Sequence, residues 1–358
     1  MKGRHSAPRA PHRGLVVAVA ASVMAVLAVL AVALTRSQNV TATPNQSRPT
    51  TALSSTALPP TPGTEARPTP QQERRGTLII HAAGDTNLDP NYIGTFRSQG
   101  YGYAWTGLDG LFEQDDLTIL NLECAVSNKG TAVSKEFNFR GDPEALPYMR
   151  EAGVEVVSLA NNHSYDFGPE ALVDTVKNIR KAGIIPIGAG SDDEEAEAPA
   201  YFDIKGWKIA VVPWDFVVDP YPTAVAAAGH PGTAFGHDFN GVLKAVKQAH
   251  READLVVVQT HWGVELETQP NSAEVVLGHR LIDAGADIVF GGHSHRMQPL
   301  EMYEGKPIFW SLGNFVWPNF SSAGAQSGVA EVTVKPNGMI KAKLLDAYIT
   351  APGHPVVR

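Results

Sequence analysis

The chain has 358 residues, of which 43% are hydrophobic and 18% are charged, and its formal net charge is −8. Such a chain can form one large domain or two small ones with a sizeable core. The first 36 residues hold five basic and no acidic side chains, which leaves −13 on the remainder. An acidic body repels polyanions, so we predict no nucleic-acid partner. The single cysteine, Cys124, excludes an intrachain disulfide and is predicted to be a small buried hydrophobe.

The N-terminal part is predicted to be a membrane anchor followed by a spacer. Residues 1–13 form a basic, cytoplasmic tail, and residues 14–34 are an unbroken apolar run. At about 1.5 Å per residue this run spans roughly 30 Å, the thickness of a bilayer core, so we predict one transmembrane helix. The basic flank predicts a single-pass protein of the cell membrane with its globular part extracytoplasmic. A cleaved signal peptide remains the alternative, although its apolar region usually has about 7–15 residues.

Residues 35–76 are rich in Ser, Thr and Pro, which predicts a disordered linker. Residues 77–350 have the pattern of a folded domain. Short apolar runs predict strands at residues 77–83, 117–122, 154–159, 184–187, 208–212, 255–260, 288–290 and 308–312, with a closing hairpin at 329–334 and 341–348. Apolar residues at helical spacing predict helices at 168–182, 241–253 and 273–284. This alternation predicts an α/β sandwich.

Five of the predicted strands end in clusters of residue types that bind metals. The clusters are Gly84-Asp85-Thr86-Asn87, Asn121-Leu122-Glu123, Asn161-Asn162-His163 with Asp166, His261-Trp262-Gly263-Val264-Glu265, and Gly292-His293-Ser294-His295. Each cluster alone has a structural explanation, such as a turn or a helix cap. Ligand sites of α/β sheets form beyond the carboxyl ends of the strands. Five such clusters at strand ends therefore predict one shared metal site.

The mixture of carboxylate, amide and imidazole groups without a thiolate suits Mn²⁺, Fe²⁺ or Zn²⁺. Two divalent metal ions need about six to eight protein ligands, and we predict seven, with Glu123 as the bridge. The seven are Asp85, Asn87, Glu123, Asn162, His261, His293 and His295. Paired ions about 3.5–4 Å apart would clamp a phosphoryl group and activate a bridging water. His163 would stay uncoordinated and act as the catalytic residue that protonates a leaving oxygen.

The order of these motifs resembles that of the calcineurin-like metallophosphoesterases, and the wider pattern resembles the CapA family of capsule and poly-γ-glutamate synthesis proteins. The resemblance covers roughly residues 78–317. Its motifs are Asn121-Leu122-Glu123, Lys135 with Phe137-Asn138-Phe139-Arg140, Leu159-Ala160-Asn161-Asn162-His163, His261-Trp262-Gly263, and Ser311-Leu312-Gly313-Asn314-Phe315. It implies a four-layered αββα sandwich and a membrane-attached protein of polymer synthesis or export, with other capsule-synthesis membrane subunits as partners.

Three features of the chain depart from the patterns it resembles. Asn87 stands where metallophosphoesterases have a His ligand, and Glu123 stands where Asp is usual. The loop around His293 lacks the additional His and Pro of the CapA-like pattern. These departures count against a simple transfer of phosphatase activity. We also predict substrate contacts, although the first two residues are equally well explained as surface charges: Lys135, Arg140, Asn161 and Glu265.

Three functions are consistent with the sequence. The first is a metal-dependent hydrolase or transferase that acts on an anionic capsular polymer or a phosphate-ester substrate. The second is a general exported phosphoesterase, and the third is a non-catalytic scaffold of a polymer-export complex. The predicted anchor and linker favour the first and third functions. The presence of His163 and of both loop histidines, His293 and His295, favours an active site over a scaffold.

Overall fold

The computed structural model describes residues 75–218 and 224–358. The predicted tail, the predicted transmembrane segment and all but the last two residues of the predicted linker lie outside these ranges. Within the described ranges, no helix is both long and apolar enough to cross a membrane.

The described residues form a mixed α/β fold. Its strands are β1 Leu78–Thr86, β2 Leu117–Leu122, β3 Ala125–Val126, β4 Arg140–Gly141, β5 Val156–Ser158, β6 Ile185–Ile187, β7 Ala189–Gly190, β8 Ala200–Ile204, β9 Trp207–Asp215, β10 Gly232–Thr233, β11 Leu255–His261, β12 Ile288–Gly292, β13 Leu300–Tyr303, β14 Lys306–Phe309, β15 Gln326–Val334, β16 Ile340–Ala351 and β17 His354–Val357. Its α-helices are α1 Thr95–Gln99, α2 Leu146–Glu151, α3 Gly168–Lys181, α4 Asp193–Glu197, α5 Phe239–Glu252, α6 Ser272–Asp283 and α7 Ser322–Ala325. Two 3-10 helices cover Tyr101–Leu108 and Pro143–Ala145.

Two large sheets organise these elements. The seven-stranded sheet has the order β17-β16-β15-β1-β2-β5-β6, in which β1, β2, β5 and β6 are parallel and β15, β16 and β17 are antiparallel additions. The six-stranded sheet has the order β13-β14-β12-β11-β9-β8, with a parallel centre and an antiparallel strand at each edge. Parallel strands point the same way, so the carboxyl ends of neighbouring strands lie along one edge of each sheet.

Alternation along the strands divides the core. Ile119 of β2 and Val257 of β11 belong to one buried cluster that draws on both sheets. Their successors in the chain point to the opposite faces. Leu120 packs in a second cluster that includes Ile179 of α3. Val258 packs in a third cluster that includes residues of α5 and α6. Each large sheet is therefore buried on both faces, which explains the nearly continuous apolar composition of its central strands.

The long helices begin and end where local chemistry favours it. Helix α6 starts with a capping box. The Asn271 side chain accepts hydrogen bonds from two backbone amides of the first turn, and the Glu274 carboxylate accepts one from the Asn271 amide. Helix α3 has a proline in its first turn and ends with Arg180 and Lys181, whose charges suit the carboxyl end of a helix dipole.

The predicted alternation of strands and helices is confirmed, and the three predicted helices are the longest α-helices of the described residues. The short helices and the two-residue strands were not predicted. Strands β8, β13 and β17 were not predicted, and β17 extends the sheet beyond residue 350 by pairing with β16. Arg75 and Gly76, the end of the predicted linker, contact the domain, because Arg75 pairs with Asp254 and the Gly76 amide donates to the Lys205 carbonyl. Cys124 is fully buried, as predicted.

Candidate metal and active site

The predicted metal-binding residues come together where the carboxyl ends of both sheets meet. Asp85 is the penultimate residue of β1, Glu123 directly follows β2, and His261 is the last residue of β11. His293 and His295 follow β12, and both have positive φ angles of 90° and 52°. Non-glycine residues in this backbone region carry a strain of about 1–3 kcal/mol and occur preferentially at functional sites.

Two groups of three residues could each hold a metal ion. Glu123, His261 and His293 form the first group, and all three are buried. Asp85, Glu123 and His295 form the second. Within each group the ligand atoms lie within 4.8 Å of one another. Glu123 belongs to both groups, which is the position that the sequence predicts for a bridging ligand.

The Glu123 carboxylate is fully buried and faces imidazole nitrogens. Its Oε1 atom lies 3.6 Å from Nε2 of His261, 3.9 Å from Nε2 of His295 and 4.0 Å from Nε2 of His163. The same oxygen has no hydrogen-bond partner among the described residues. Burial, together with the negative charge of Asp85, raises the pKa of Glu123 well above its usual range.

The three predicted histidine ligands differ in the direction of their pKa shifts, and His261 and His293 are shifted towards the neutral form that binds metals. Burial and the neighbouring His293 lower the pKa of His261 well below its usual value. Burial, supported by His295, lowers the pKa of His293 to about 4. Burial also disfavours the charged form of His295, but a hydrogen bond and the negative charge of Asp85 outweigh it and raise its pKa. His295 Nδ1 lies 3.2 Å from Asp85 Oδ2.

A network of amide side chains positions these ligands. Asn121 Nδ2 donates to Asp85 Oδ1 over 2.9 Å and lies 3.2 Å from Nδ1 of His261. Asn161 Nδ2 donates in turn to Asn121 Oδ1 over 3.0 Å, and Asn161 Oδ1 accepts from the His163 amide. Asn161, predicted to contact substrate, thus lies beneath the site and is buried. Asn121 was part of a predicted motif but had no assigned role, because the sequence does not show which groups its amide bridges.

The two predicted amide ligands differ in their surroundings. Asn162 Oδ1 lies 2.9 Å from Nε2 of His261, so it points at the ligand cluster. Asn87 is buried beside Glu123, but its Oδ1 accepts from the Asp89 amide over 2.8 Å and its Nδ2 lies 3.5 Å from the Glu123 carbonyl oxygen. Asn162 is therefore better placed than Asn87 to provide a ligand oxygen.

His163 is oriented by a buried carboxylate. Asp166 Oδ2 lies 2.8 Å from His163 Nδ1 and also accepts from the Phe139 amide over 2.7 Å. Asp166 Oδ1 pairs with Lys135 Nζ at 2.8 Å, and Lys135 also donates to the carbonyl oxygen of Asn162. Burial lowers the pKa of His163, although the hydrogen bond to Asp166 opposes this effect. Lys135 thus supports the His163–Asp166 pair from within the protein.

A cleft of about 210 Å³ opens from the ligand cluster to solvent. His163, His295 and the predicted substrate residue Glu265 line it, together with Arg296, which the sequence did not single out. Lys135 and Arg140 do not line it. The Arg140 guanidinium lies over the Phe167 ring at 3.7 Å and donates to the Ser127 carbonyl oxygen. The structure therefore places these two predicted substrate contacts in structural roles near the site.

Comparison with known proteins bears on this arrangement. The capsule biosynthesis protein CapA of Bacillus anthracis is 28% identical over 283 residues, which are 77% of this chain and 68% of that protein. The PGA biosynthesis protein CapA of Bacillus subtilis is 30% identical over 234 residues, which are 64% of this chain and 61% of that protein. A probable polyglutamine synthesis accessory protein of Mycobacterium tuberculosis is 33% identical over 211 residues, which are 56% of this chain and 55% of that protein.

Among solved structures, one that aligns with 75% of this chain does so with a TM-score of 0.42 at 11% identity, which is too weak to bear on the fold. The family model described as bacterial capsule synthesis protein PGA_cap matches residues 79–319. This range includes all the predicted ligands and most of the residues that line the cleft. The chain therefore belongs to the PGA_cap family of bacterial capsule synthesis proteins.

Proposed function

We propose that this chain is a membrane-anchored, extracytoplasmic protein of capsule or poly-γ-glutamate synthesis, with a two-metal site that hydrolyses or transfers an anionic ester-like group. The names of its relatives support the biological setting. The observation that carries the chemistry is the pair of ligand groups that share Glu123. The anchor and the location are proposed from the apolar run at residues 14–34 and its basic flank.

The residues present fit a pair of divalent cations. Two buried atoms in the cluster, Glu123 Oε1 and His293 Nδ1, have no hydrogen-bond partner among the described residues. Buried polar atoms are normally paired, so this carboxylate oxygen and this imidazole nitrogen are both available to a cation. Glu123, His261 and His293 would hold one ion, and Asp85, Glu123 and His295 the other. Their mixture of oxygen and nitrogen atoms suits Mn²⁺, Fe²⁺ or Zn²⁺.

Bound divalent ions would supply Lewis acidity and lower the pKa of a water molecule. The chain itself supplies the proton transfer. Because the Asp166 carboxylate accepts from Nδ1 of His163, the Nε2 atom of His163 bears the lone pair that faces the cluster. Burial lowers the pKa of His163, which makes its protonated ring a stronger acid than free imidazolium, and Asp166 stabilises the positive charge of that ring. His163 is thus suited to take up a proton at Nε2 and return it to a leaving oxygen.

We further propose that the fold is a four-layered αββα sandwich of the metallophosphoesterase type. Support comes from the core that draws on both large sheets and from the two outer cores that include the helices. In this arrangement each sheet contributes to the site. The seven-stranded sheet brings the carboxylates, and the six-stranded sheet brings His261 and the His293 loop.

Metal content tests the proposal. Full-length protein purified without chelator is expected to contain close to two transition-metal ions per chain by elemental analysis. Glu123→Gln should lose both ions, because the residue belongs to both groups, whereas His295→Ala should lose mainly one. His279→Ala is the matched control, since His279 stacks on Tyr303 away from the cluster and should keep both ions. A folded wild-type protein without bound metal would contradict the two-metal site.

A further inference from the structure

Five aromatic side chains form a continuous wall beside the ligand cluster. This aromatic wall consists of Tyr92, Phe137, Phe139, Trp317 and Phe320, which all line the cleft. Its inner end meets the site histidines, because the Phe139 ring lies 4.4 Å from His163 and the Trp317 ring 4.8 Å from His295. Tyr92 lies between them and joins Phe139 at 4.5 Å to Phe320 at 5.7 Å. The wall therefore runs from the reacting end of the cleft to its mouth.

The outer end of the cleft exposes large apolar side chains to water. Phe320 is 78% exposed, Leu266 60% and Phe137 55%, and all three line the cleft. Val264, two residues before Leu266, is 52% exposed. Leaving such groups in water forgoes the free energy that their burial would release. Exposed apolar patches beside a site are typical of surfaces that bind a ligand.

The wall offers carbon surface and few free polar groups. Of its five members, Tyr92 and Trp317 carry one polar side-chain atom each, and the three phenylalanines carry none. A nucleobase would need donors and acceptors at its edges for recognition. Phe137, Leu266 and Phe320 offer none, and the exposed polar residues of the lining are Glu265 and Ser321. Leu266 also adds aliphatic surface to the cleft. The composition favours a flexible apolar chain over a planar polar ring.

A positive charge, that of Arg296, lines the same cleft. Arg296 lines the cleft, and its Nη1 donates to the His295 carbonyl oxygen over 2.7 Å. Among the ion pairs of the described residues, none involves Arg296, whereas Lys135 is paired with Asp166. A guanidinium with donors to spare is suited to a carboxylate or phosphate oxygen. The cleft thus combines the guanidinium of Arg296, which can bind an anion, and the carboxylate of Glu265 with an apolar outer surface.

We propose that the cleft takes an anionic group carried on a lipid-like apolar chain, such as a long-chain phosphate ester. The anionic group lies against Arg296 and the ligand cluster, and the chain lies along the aromatic wall towards Phe320 and Leu266. This inference rests on the proposed function in one respect, namely that the bound anionic group is the group that reacts. The chemistry is shared by a dispersed amphiphile and by a lipid presented at a membrane surface.

Chain-length dependence of binding tests the inference. Full-length protein in nanodiscs of neutral lipid is titrated calorimetrically with butyl phosphate and octyl phosphate, with empty nanodiscs as the blank. Each methylene moved fully out of water favours binding about fourfold, so four half-buried methylenes should make octyl phosphate bind at least about tenfold more tightly. Phe320→Ser and Leu266→Ser should reduce the ratio to below about threefold. Val276→Ser, at an exposed position on α6, is the matched control and should keep it.

Competition identifies the source of the lipid. Vesicles of phosphatidylcholine with one fifth phosphatidic acid either displace octyl phosphate, which supports a membrane-presented ligand, or leave it bound, which supports a dispersed one. Equal affinity of wild-type protein for butyl and octyl phosphate overturns the inference, and so does an unchanged ratio in Phe320→Ser. Because the readout is binding, a protein that holds two metal ions yet ignores chain length would refute this inference and leave the proposed function intact.

Discussion

Glu123 is the residue at which the electrostatics of the site converge. It is fully buried, its Oε1 lacks a hydrogen-bond partner among the described residues, and its raised pKa reflects burial and the charge of Asp85. An isolated buried carboxylate is costly, and proteins offset that cost with a cation or with protonation. Lowered pKa values favour the neutral, metal-binding form of the neighbouring His261 and His293, whereas Asp85 raises the pKa of His295.

The two histidines His163 and His293 differ in what their removal should do. His163→Ala should keep both metals and the fold but lose about 10²–10⁴-fold in the rate of hydrolysis of an activated phosphodiester, because it removes the positioned proton donor. His293→Ala should lose metal as well, since it removes a buried ligand. Nitrophenyl ester hydrolysis and elemental analysis, done on the same preparations, measure the two effects, and His279→Ala serves as the histidine control.

The same pair of variants separates catalysis from binding. In a strain that lacks the gene, an active site requires that wild type restore capsule production and that His163→Ala restore it poorly. Wild type and His163→Ala could instead be equally inactive on every ester and equally able to restore the capsule. That result would contradict the enzymatic proposal and favour the scaffold.

At the scale of elements, the site depends on a close approach between β1 and the chain after β14. The Asp85 amide donates to the Gly313 carbonyl oxygen, and Asp85 forms a bridge with Asn314. A Cβ atom at Gly84 would lie 2.1 Å from that carbonyl oxygen, so only glycine fits. This contact holds Asp85 in line with the histidines of the other sheet.

Gly84→Ala is therefore expected to destabilise the protein by about 1–3 kcal/mol, because the backbone must move apart to admit the methyl group. It should also weaken metal binding, since Asp85 is the next residue. Gly94→Ala is the control, because a Cβ there meets nothing within 4 Å and its φ is −61°. Denaturant unfolding measures both variants, and equal stability of the two would refute the close-approach argument.

Strand-end patterns allowed most of the site to be predicted, because the direction of parallel strands brings distant ends together. Asp85, Glu123, His261, His293 and His295 were found in this way. The interaction partners of Lys135 and Arg140 could not be predicted, because the sequence does not show whether a charged side chain contacts substrate or another residue of the protein. Their partners come from residues that only the tertiary fold brings near.

Other residues of the cleft and the edge strands have no sequence pattern from which they could be predicted. Arg296, Trp317 and Tyr92 lie in connections between elements, where neither periodicity nor a strand end marks them. Strands β8 and β13 are edge strands with partly exposed residues, so their apolar runs are short and weak. Sequence patterns therefore predicted the buried centre of the fold and of the site better than its rim.

At the scale of the whole molecule, the architecture places chemistry and apolar surface on the same opening. The ligand cluster lies at the strand ends of both sheets, and the cleft that leads to it ends in exposed Phe320 and Leu266. The chain beyond its first 36 residues carries a formal charge of −13. Long-range repulsion of an anionic substrate must then be overcome locally, and a metal pair with Arg296 would supply the positive charge.

The predicted anchor fixes the membrane association and the location of the whole protein, and cell fractionation can test both. Because residues 14–34 are apolar for a bilayer's thickness and follow a basic flank, the full-length protein should sediment with membranes. Protease added to spheroplasts should digest its globular part while a cytoplasmic marker stays intact. A soluble product that begins near Ser37 or Gln38 would instead identify the segment as a cleaved signal peptide. Protection of the globular part in intact spheroplasts would contradict the extracytoplasmic location, and with it the proposal that the cleft meets its substrate outside the cytoplasm.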